Sequence, residues 1–310
     1  MRPRGGYIGF NRVPAAAAFN SAASGVWTLR EAEALKRAGT WATAFVSPTQ
    51  ITGLQLWLDA SDASTLYGAT TGGSVVAADG TVARWEDKSG NARHMTQGTA
   101  GSRPTRKTAV QGGRDVLRFD GSNDFMSVAS STATFKFLHS ADSTVFAVLD
   151  ANTSGYAPIL STFDTGSANV GYQLDTGNGS GTADKITHRV ARGETGQLTA
   201  GQTTSNGFLG SGFNVISVVT KPADGVAANR SSIRRNGGAA ATGNTDTNTP
   251  STANSQYNLS LATDNYLGAG SGSATFSSLD FCEIAIYNSA LSDAYRSLVE
   301  NYLLAKWGIT

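Results

Sequence analysis

Three segments between Gly53 and Val128 decide the fold: GLQLWLDASDASTL (Gly53–Leu66), VARWEDKSGNARHMTQ (Val82–Gln97) and GRDVLRFDGSNDFMSV (Gly113–Val128). Each holds an apolar run that breaks into Asp, Asn, Ser and Gly at its end. Leu54, Leu56 and Leu58 alternate with Gln55 and Trp57, while Val116 and Phe119 lie in a run that turns at Asp120-Gly121 and resumes at Phe125. Period-two alternation broken by short polar turns is the pattern of antiparallel strands joined by tight loops.

Bulk composition points the same way. The chain has 310 residues, 36 of them glycine, and only 15% are charged, which suits many short strands better than helices. Its length admits one large β domain with an arm, or two ordinary domains. No run of about 18 apolar residues occurs, so no membrane-spanning helix is expected. MRPRGGYIGFNRVPAAAAF (Met1–Phe19) lacks an uninterrupted apolar stretch and does not read as a signal peptide. The single cysteine, Cys282, excludes an internal disulfide and sits in an apolar run, where a small buried hydrophobe is expected.

Further strands are expected at Thr144–Asp150, which is apolar throughout, at Gly171–Asp175, at Phe213–Thr220 and at Leu279–Tyr287. Asn236-Gly237 follows Ser231–Arg235 as a hairpin signal. Thr176–Gly181 and Ala239–Ser255 read as loops. After Asn288 a closing helix is expected, capped by Ser292, ended near Lys306 and Gly308, and carrying Leu291, Tyr295, Leu298 and Tyr302 on its packed face. Trp307 should pack rather than bind.

The segments LWLDASDASTL, WEDKSGNARHMTQ and LRFDGSNDFM, together with LDFCEIAIYNSALSDAYRSLVENYLLAKWG (Leu279–Gly308), resemble the laminin G-like group of concanavalin A-like lectin/glucanase domains. That likeness covers about residues 51–310. It implies an all-β fold, a two-sheet antiparallel jelly-roll sandwich closed by a C-terminal helix, in a group common among bacterial surface and phage virion proteins. Such folds bind many ligands and catalyse in only some branches, so fold does not give function.

Residues 1–50 read as a separate arm. They carry six cations against two acids, a net of +4, while the remainder carries eighteen against twenty-one, a net of −3. Met1–Gly25 is too rich in Gly, Pro and Ala to build a core. VWTLREAEALKRAGTW (Val26–Trp41) is expected to form a short helix, with Thr28 and Glu31 as a capping box and Gly39 as its stop. A helix that short needs a packing partner. GYIGFNRVP (Gly6–Pro14) with SGVWTLREAEALKRAGTW (Ser24–Trp41) is similar to N-terminal segments of structural proteins from marine tailed phages. That resemblance implies an attachment device, with Arg4, Tyr7, Phe10, Trp27, Leu35 and Trp41 as its contact residues. The partner is then another virion protein of capsid or tail, or a second copy of the chain, with packing on its own domain as the plainer alternative. Nucleic acid is the weaker partner, because the cations are few and irregular.

Chemistry is sparse. A glucanase of this fold commonly uses Glu-x-Asp-x-x-Glu, and that spacing does not occur; Glu86-Asp87 is the nearest pair, and adjacent strand residues face opposite ways. His94, His139 and His188 show no metal-ligand spacing. There is no nucleophile elbow and no phosphate loop. The expectation is a non-enzymatic protein with no cofactor. Asp120, Asn123 and Asp124 supply hard oxygens that suit calcium, which occurs in many laminin G-like domains, or else shape a tight turn. Asp59 and Asp62 admit the same two readings. For sugar stacking the candidates are Trp85, Tyr156, Tyr172 and Tyr266, with the loops Asn152–Tyr156 and Gly177–Gly181 as rims. The resulting expectation is a virion structural protein, on the phage particle surface as a capsid decoration or fibre, whose jelly roll binds host-surface glycans. A lectin domain of a bacterial surface protein and a polysaccharide-cleaving enzyme are the alternatives.

Overall fold

A computed structural model describes residues 30, 33, 37, 47–151, 156–162, 170–176, 185–192, 198–203, 211–242, 249–255, 257–264 and 275–310. The chain divides into two units, Met1–Gln50 and Ile51–Thr310. In the first, Arg30, Glu33 and Arg37 are helical, and Glu33 and Arg37 pair at 2.8 Å one turn apart. The capping residues Thr28 and Glu31, and the contact residues Arg4, Tyr7, Phe10, Trp27, Leu35 and Trp41, lie outside the described residues.

The second unit is all-β, a sandwich of two antiparallel sheets. Its strands are β1 (Leu54–Asp59), β2 (Leu66–Tyr67), β3 (Arg84–Trp85), β4 (Met95–Thr96), β5 (Thr105–Gln111), β6 (Arg114–Asp120), β7 (Met126–Val128) and β8 (Ser143–Ala151). They continue with β9 (Ala157–Ser161), β10 (Val170–Thr176), β11 (Ile186–Arg192), β12 (Leu198–Thr203), β13 (Asn214–Thr220), β14 (Ser231–Arg235), β15 (Ser260–Leu261) and β16 (Ser278–Tyr287). A one-turn helix, α1 (Phe137–Ser140), precedes β8, and α2 (Asp293–Trp307) closes the chain.

The seven-stranded sheet runs β14-β13-β8-β16-β6-β5, and β1 also pairs with β16. Strand β16 is the hub. One edge follows β8 along its length; the other meets β6 through Ser278–Phe281 and β1 through Glu283–Tyr287. The register slips between Phe281 and Glu283, so buried Cys282 sits in an irregular step of the ladder. The nine-stranded sheet runs β12-β11-β10-β9-β15-β7-β4-β3-β2. Between the sheets lies one core, with Leu56, Leu58, Phe119, Val145, Ala147, Phe281, Ile284 and Ile286 from one side and Trp85, Met95, Met126, Leu160, Tyr172, Leu174 and Leu261 from the other. Fully burying a large apolar side chain contributes about 1.5–3 kcal/mol, so this interface dominates the stability of the domain.

The strands read from Thr144–Asp150, Gly171–Asp175, Phe213–Thr220 and Leu279–Tyr287 are present as β8, β10, β13 and β16. Four differences have physical causes. Strands β5, β9, β11 and β12 lack a clean alternation in sequence; tertiary pairing makes them. Asn236 and Gly237 do turn the chain, at φ 48° and 68°, but among the described residues the return arm is a single bridge between Ile233 and Ala241. One turn of helix, α1, was not expected. The closing helix is capped by Ser292 and ended by left-handed Gly308 as expected, and Leu291 just ahead of it is buried, yet the helix's own buried face is Arg296, Val299, Glu300, Leu303 and Trp307 rather than Tyr295, Leu298 and Tyr302.

That shift in face follows from what α2 lies on. The outward face of the seven-stranded sheet presents Ser217, Ser232 and Glu283, so the helix buries charge against it. Arg296 donates from Nε to Ser217 Oγ at 2.7 Å, from Nη2 to the Ser217 carbonyl at 2.7 Å and from Nη1 to Ser232 Oγ at 2.8 Å. Its Nε lies 3.3 Å from Glu300, which also accepts from Ser217 Oγ. At the other end Glu283, fully buried, accepts from the indole of Trp57 at 2.8 Å, the indole of Trp307 at 2.8 Å and Lys306 Nζ at 2.6 Å. Lys306 also reaches Asp59 at 2.8 Å, and Lys88 holds Asp59 at 3.0 Å. Burial, with Asp59 beside it, raises the Glu283 carboxyl despite Lys306. Burial also pulls on Asp59, but Lys306, Ser61 and Lys88 outweigh it and hold that group below the ordinary carboxylate range.

Candidate functional site

Strand alternation sends every second residue of the nine-stranded sheet away from the core. Because Leu66, Trp85, Met95, Met126, Leu261, Leu160, Leu174 and Val190 point inward, their neighbours line up outward. The register couples them strand by strand: Tyr67 to Arg84, Arg84 to Thr96, Thr96 to Ser127, Ser127 to Ser260, Ser260 to Ser161, Ser161 to Gln173 and Gln173 to Arg189. A second row begins with Asp175 opposite Thr187. The outward face is thus a band of hydroxyl, amide and charged side chains.

Exposure varies along this band, with Arg84 buried and Arg189 half-buried. Tyr67, Thr96 and Ser127 are half-buried, whereas Ser260, Ser161, Gln173 and Asp175 are buried. At the open end the Arg84 guanidinium stacks 4.2 Å above the Tyr67 ring and pairs with Glu86 at 3.1 Å. At the closed end Gln173 Nε2 donates to the Tyr156 hydroxyl, and Arg189 lies 5.8 Å from the Tyr156 ring centre. Arg189 Nε approaches Asp175 Oδ2 at 3.3 Å without a hydrogen-bonding alignment. Among the described residues, both carboxylate oxygens of Asp175 and the Gln173 Oε1 lack a hydrogen-bond donor although all are buried.

Such orphans are costly, since a buried acceptor without a donor loses about 1–3 kcal/mol relative to water. Burial drives the Asp175 carboxyl well above the usual carboxylate range, with Arg189 pulling the other way. The Tyr156 phenol is pushed up by burial and by two nearby carboxylates, Asp175 and Asp264. Asp264 is itself buried and accepts from the Thr275 N–H at 3.0 Å. The cluster therefore brings together two acids, one guanidinium, an amide and a phenol from β10, β11 and the loops beside β9 and β15.

Other candidates fall elsewhere. Trp85 and Tyr172 are core residues, Tyr156 belongs to the cluster, and Tyr266 lies outside the described residues. Of the rim loops, residues 152–155 and 177–181 also lie outside them. The Asp120 Oδ1 accepts the backbone N–H groups of Ser122, Asn123 and Asp124, while Asp124 Oδ2 accepts from the Asp120 N–H at 3.1 Å. This is a turn shaped by side-chain to backbone bonds. Burial and the Asp120 charge raise the Asp124 carboxyl to about 6. Asp59 belongs to the charge network under α2, and Asp62 caps Ala63–Thr65. Asp87 is a loop keystone that accepts from the N–H groups of Trp57, Ser89 and Arg93. His94 accepts from the Asp87 N–H, His139 meets the Ala253 carbonyl and His188 meets Ser231 Oγ, so each is hydrogen-bonded.

Sequence spacing did not reveal one pair of acids. Asp150 and Asp280 face each other across the β8–β16 ladder, and Asp280 accepts two bonds from Arg118 at 2.7 and 2.6 Å. Burial and Asp280 raise the Asp150 carboxyl. The Asp175 cluster was hidden for a related reason. The alternation Tyr172-Gln173-Leu174-Asp175 already assigns Gln173 and Asp175 to one face, but Arg189 and Asp264 join them only through the sheet.

No protein-family model and no curated protein matches the sequence. Among solved structures, the chain is similar to Trypanosoma rangeli sialidase in complex with a difluoro-KDN, at 14% identity and a TM-score of 0.49, over 96% of this chain and 36% of that one. It is also similar to the binding domain of botulinum neurotoxin DC in complex with SialylT, at 9% identity and a TM-score of 0.44, over 79% of this chain and 52% of that one. The chain thus spans about a third of the sialidase and half of the toxin domain. What the fold itself defines is an all-β, two-sheet sandwich closed by a helix.

Proposed function

We propose that the sandwich is a non-enzymatic glycan-binding module of a phage particle, displayed at the virion surface by the arm of residues 1–50. The observation that carries the binding reading is the outward polar band of the nine-stranded sheet, with orphaned acceptors at Gln173 and Asp175. Sugars present hydroxyls that satisfy such acceptors, and Tyr156 and Arg189, half-buried at the margin, offer a ring face and a planar donor to a ligand entering there. Support for particle attachment comes from the likeness of Gly6–Pro14 and Ser24–Trp41 to phage structural proteins, and from the excess of cations in the arm. Capsid or tail proteins, or a second copy, are the partners on this reading, and neither membrane nor nucleic acid is required.

Two measurements test it. On a glycan array, full-length protein should retain a defined set of sugars and the Asp175→Asn variant should lose them; an empty array sinks the binding reading. In a particle-binding assay, full-length protein should associate with phage particles and a chain lacking residues 1–50 should not; equal binding sinks the anchor. The polysaccharide-cleaving alternative rests on the Asp150–Asp280 pair, two acids placed opposite each other on adjacent strands, as paired-carboxylate catalysis needs. Turnover of a polysaccharide that stops in Asp150→Asn would establish it in place of simple binding.

A further inference from the structure

Resting on that glycan reading, we infer that the Asp175 cluster selects a sugar carrying a free, protonated primary amine. The argument is a count of donors and acceptors. Three buried oxygens on one face of β10, the two of Asp175 and Oε1 of Gln173, have no donor among the described residues. Two residues apart on a strand, their Cα atoms stand roughly 7 Å from each other, within joint reach of one small group. A primary ammonium carries three N–H donors and no acceptor. A hydroxyl carries one donor and brings an oxygen that needs a donor of its own, so neutral sugars leave the count unbalanced.

Charge favours the same ligand. Among the described residues, the charged groups acting on the Tyr156 phenol are the acids Asp175 and Asp264 and the cation Arg189. A cation against Asp175 favours the ionised form that burial opposes, and in a desolvated setting such a charge-assisted pairing is strong. An acidic sugar would place a third carboxylate beside two. The site therefore discriminates against sialic and uronic acids by repulsion, and against N-acetylated amines by the loss of both charge and two donors.

The test titrates full-length protein by calorimetry with a β-1,4-linked glucosamine trisaccharide and with its fully N-acetylated counterpart. The free amine should bind at least tenfold more tightly, and Asp175→Asn and Gln173→Met should each erase that preference while the thermal melt is kept. Equal or tighter binding of the acetylated sugar overturns the inference, as does an unchanged preference in Asp175→Asn. Should either variant fail to fold, the comparison of the two sugars on the unmodified protein still decides. Neutral or acidic sugars that bind in an Asp175-dependent way overturn the amine preference and leave the glycan reading standing. No retention of any sugar removes both.

Discussion

Two buried polar patches lie on the outward faces of the two sheets, and they are built on opposite terms. Beneath α2, Glu283 has two indoles and Lys306 on its oxygens, and Arg296 spreads its guanidinium over Ser217 and Ser232. Every charge there has a partner. On the nine-stranded sheet, Asp175 and Gln173 are as deeply buried, yet Asp175 has only the unaligned Arg189 at 3.3 Å, and neither its oxygens nor Gln173 Oε1 accept a hydrogen bond. The first patch fixes the helix on the sheet. The second holds unspent hydrogen-bonding capacity, which on the proposed reading a ligand would satisfy.

The sharpest way to break this contrast is to remove one partner from each patch. Glu283→Ala leaves both indoles without their acceptor and Lys306 with Asp59 alone, and removing one member of a buried pair costs about 3–5 kcal/mol. Chemical denaturation should show a loss of that size; a change below about 1 kcal/mol would mean the network is not what seats α2. Asp175→Asn should behave in the opposite way. It removes a buried carboxyl that burial holds above its ordinary range, so the denaturation midpoint should stay level or rise. A marked loss there would show that Asp175 is a structural residue and erase the distinction between the patches.

The smallest effect concerns the turn at Asp120–Asp124. The Asp124 carboxyl titrates at about 6 in the folded chain against an ordinary value of 3.8. Between those values the native state holds more protons than the unfolded state, so Asp124 lowers stability as pH rises from about 4 to about 6. Asp120 has the opposite sign. Burial pulls it upward, but the N–H groups of Ser122, Asn123 and Asp124 prevail and hold it low, so its contribution is lost only as pH falls below its unfolded value. Stability measured across pH 4 to 6 should therefore fall less steeply in Asp124→Asn than in the parent, and identical slopes would refute the assignment.

The same contrast explains what could be read in advance. Alternation in Leu54–Leu58, the apolar runs that became β8, β13 and β16, Ser292 and Gly308 at the ends of α2, and the side-chain turn at Asp120 were all legible, because each depends on residues close in sequence. The buried face of α2 departs from the apolar stripe of Tyr295, Leu298 and Tyr302. The sheet beneath it is polar, and a polar face buries Arg296 and Glu300 as readily as an apolar one buries leucine, provided the partners are supplied. The acid pair of Asp150 and Asp280 escaped notice because its members are far apart along the chain and adjacent only across the ladder.

The likeness to laminin G-like domains implied the two-sheet sandwich; by itself, the sequence determined its antiparallel strands, its basic N-terminal segment and its capped closing helix. Those features come from local rules: period-two burial, turn chemistry at Asp and Gly, and capping. Only the tertiary structure decided which polar side chains meet. Asp175, Gln173, Arg189, Tyr156 and Asp264 converge because antiparallel register fixes their neighbours. Whether a buried polar group accepts hydrogen bonds, as Glu283 does, or goes without, as Asp175 does, depends on partners that spacing along the chain does not encode.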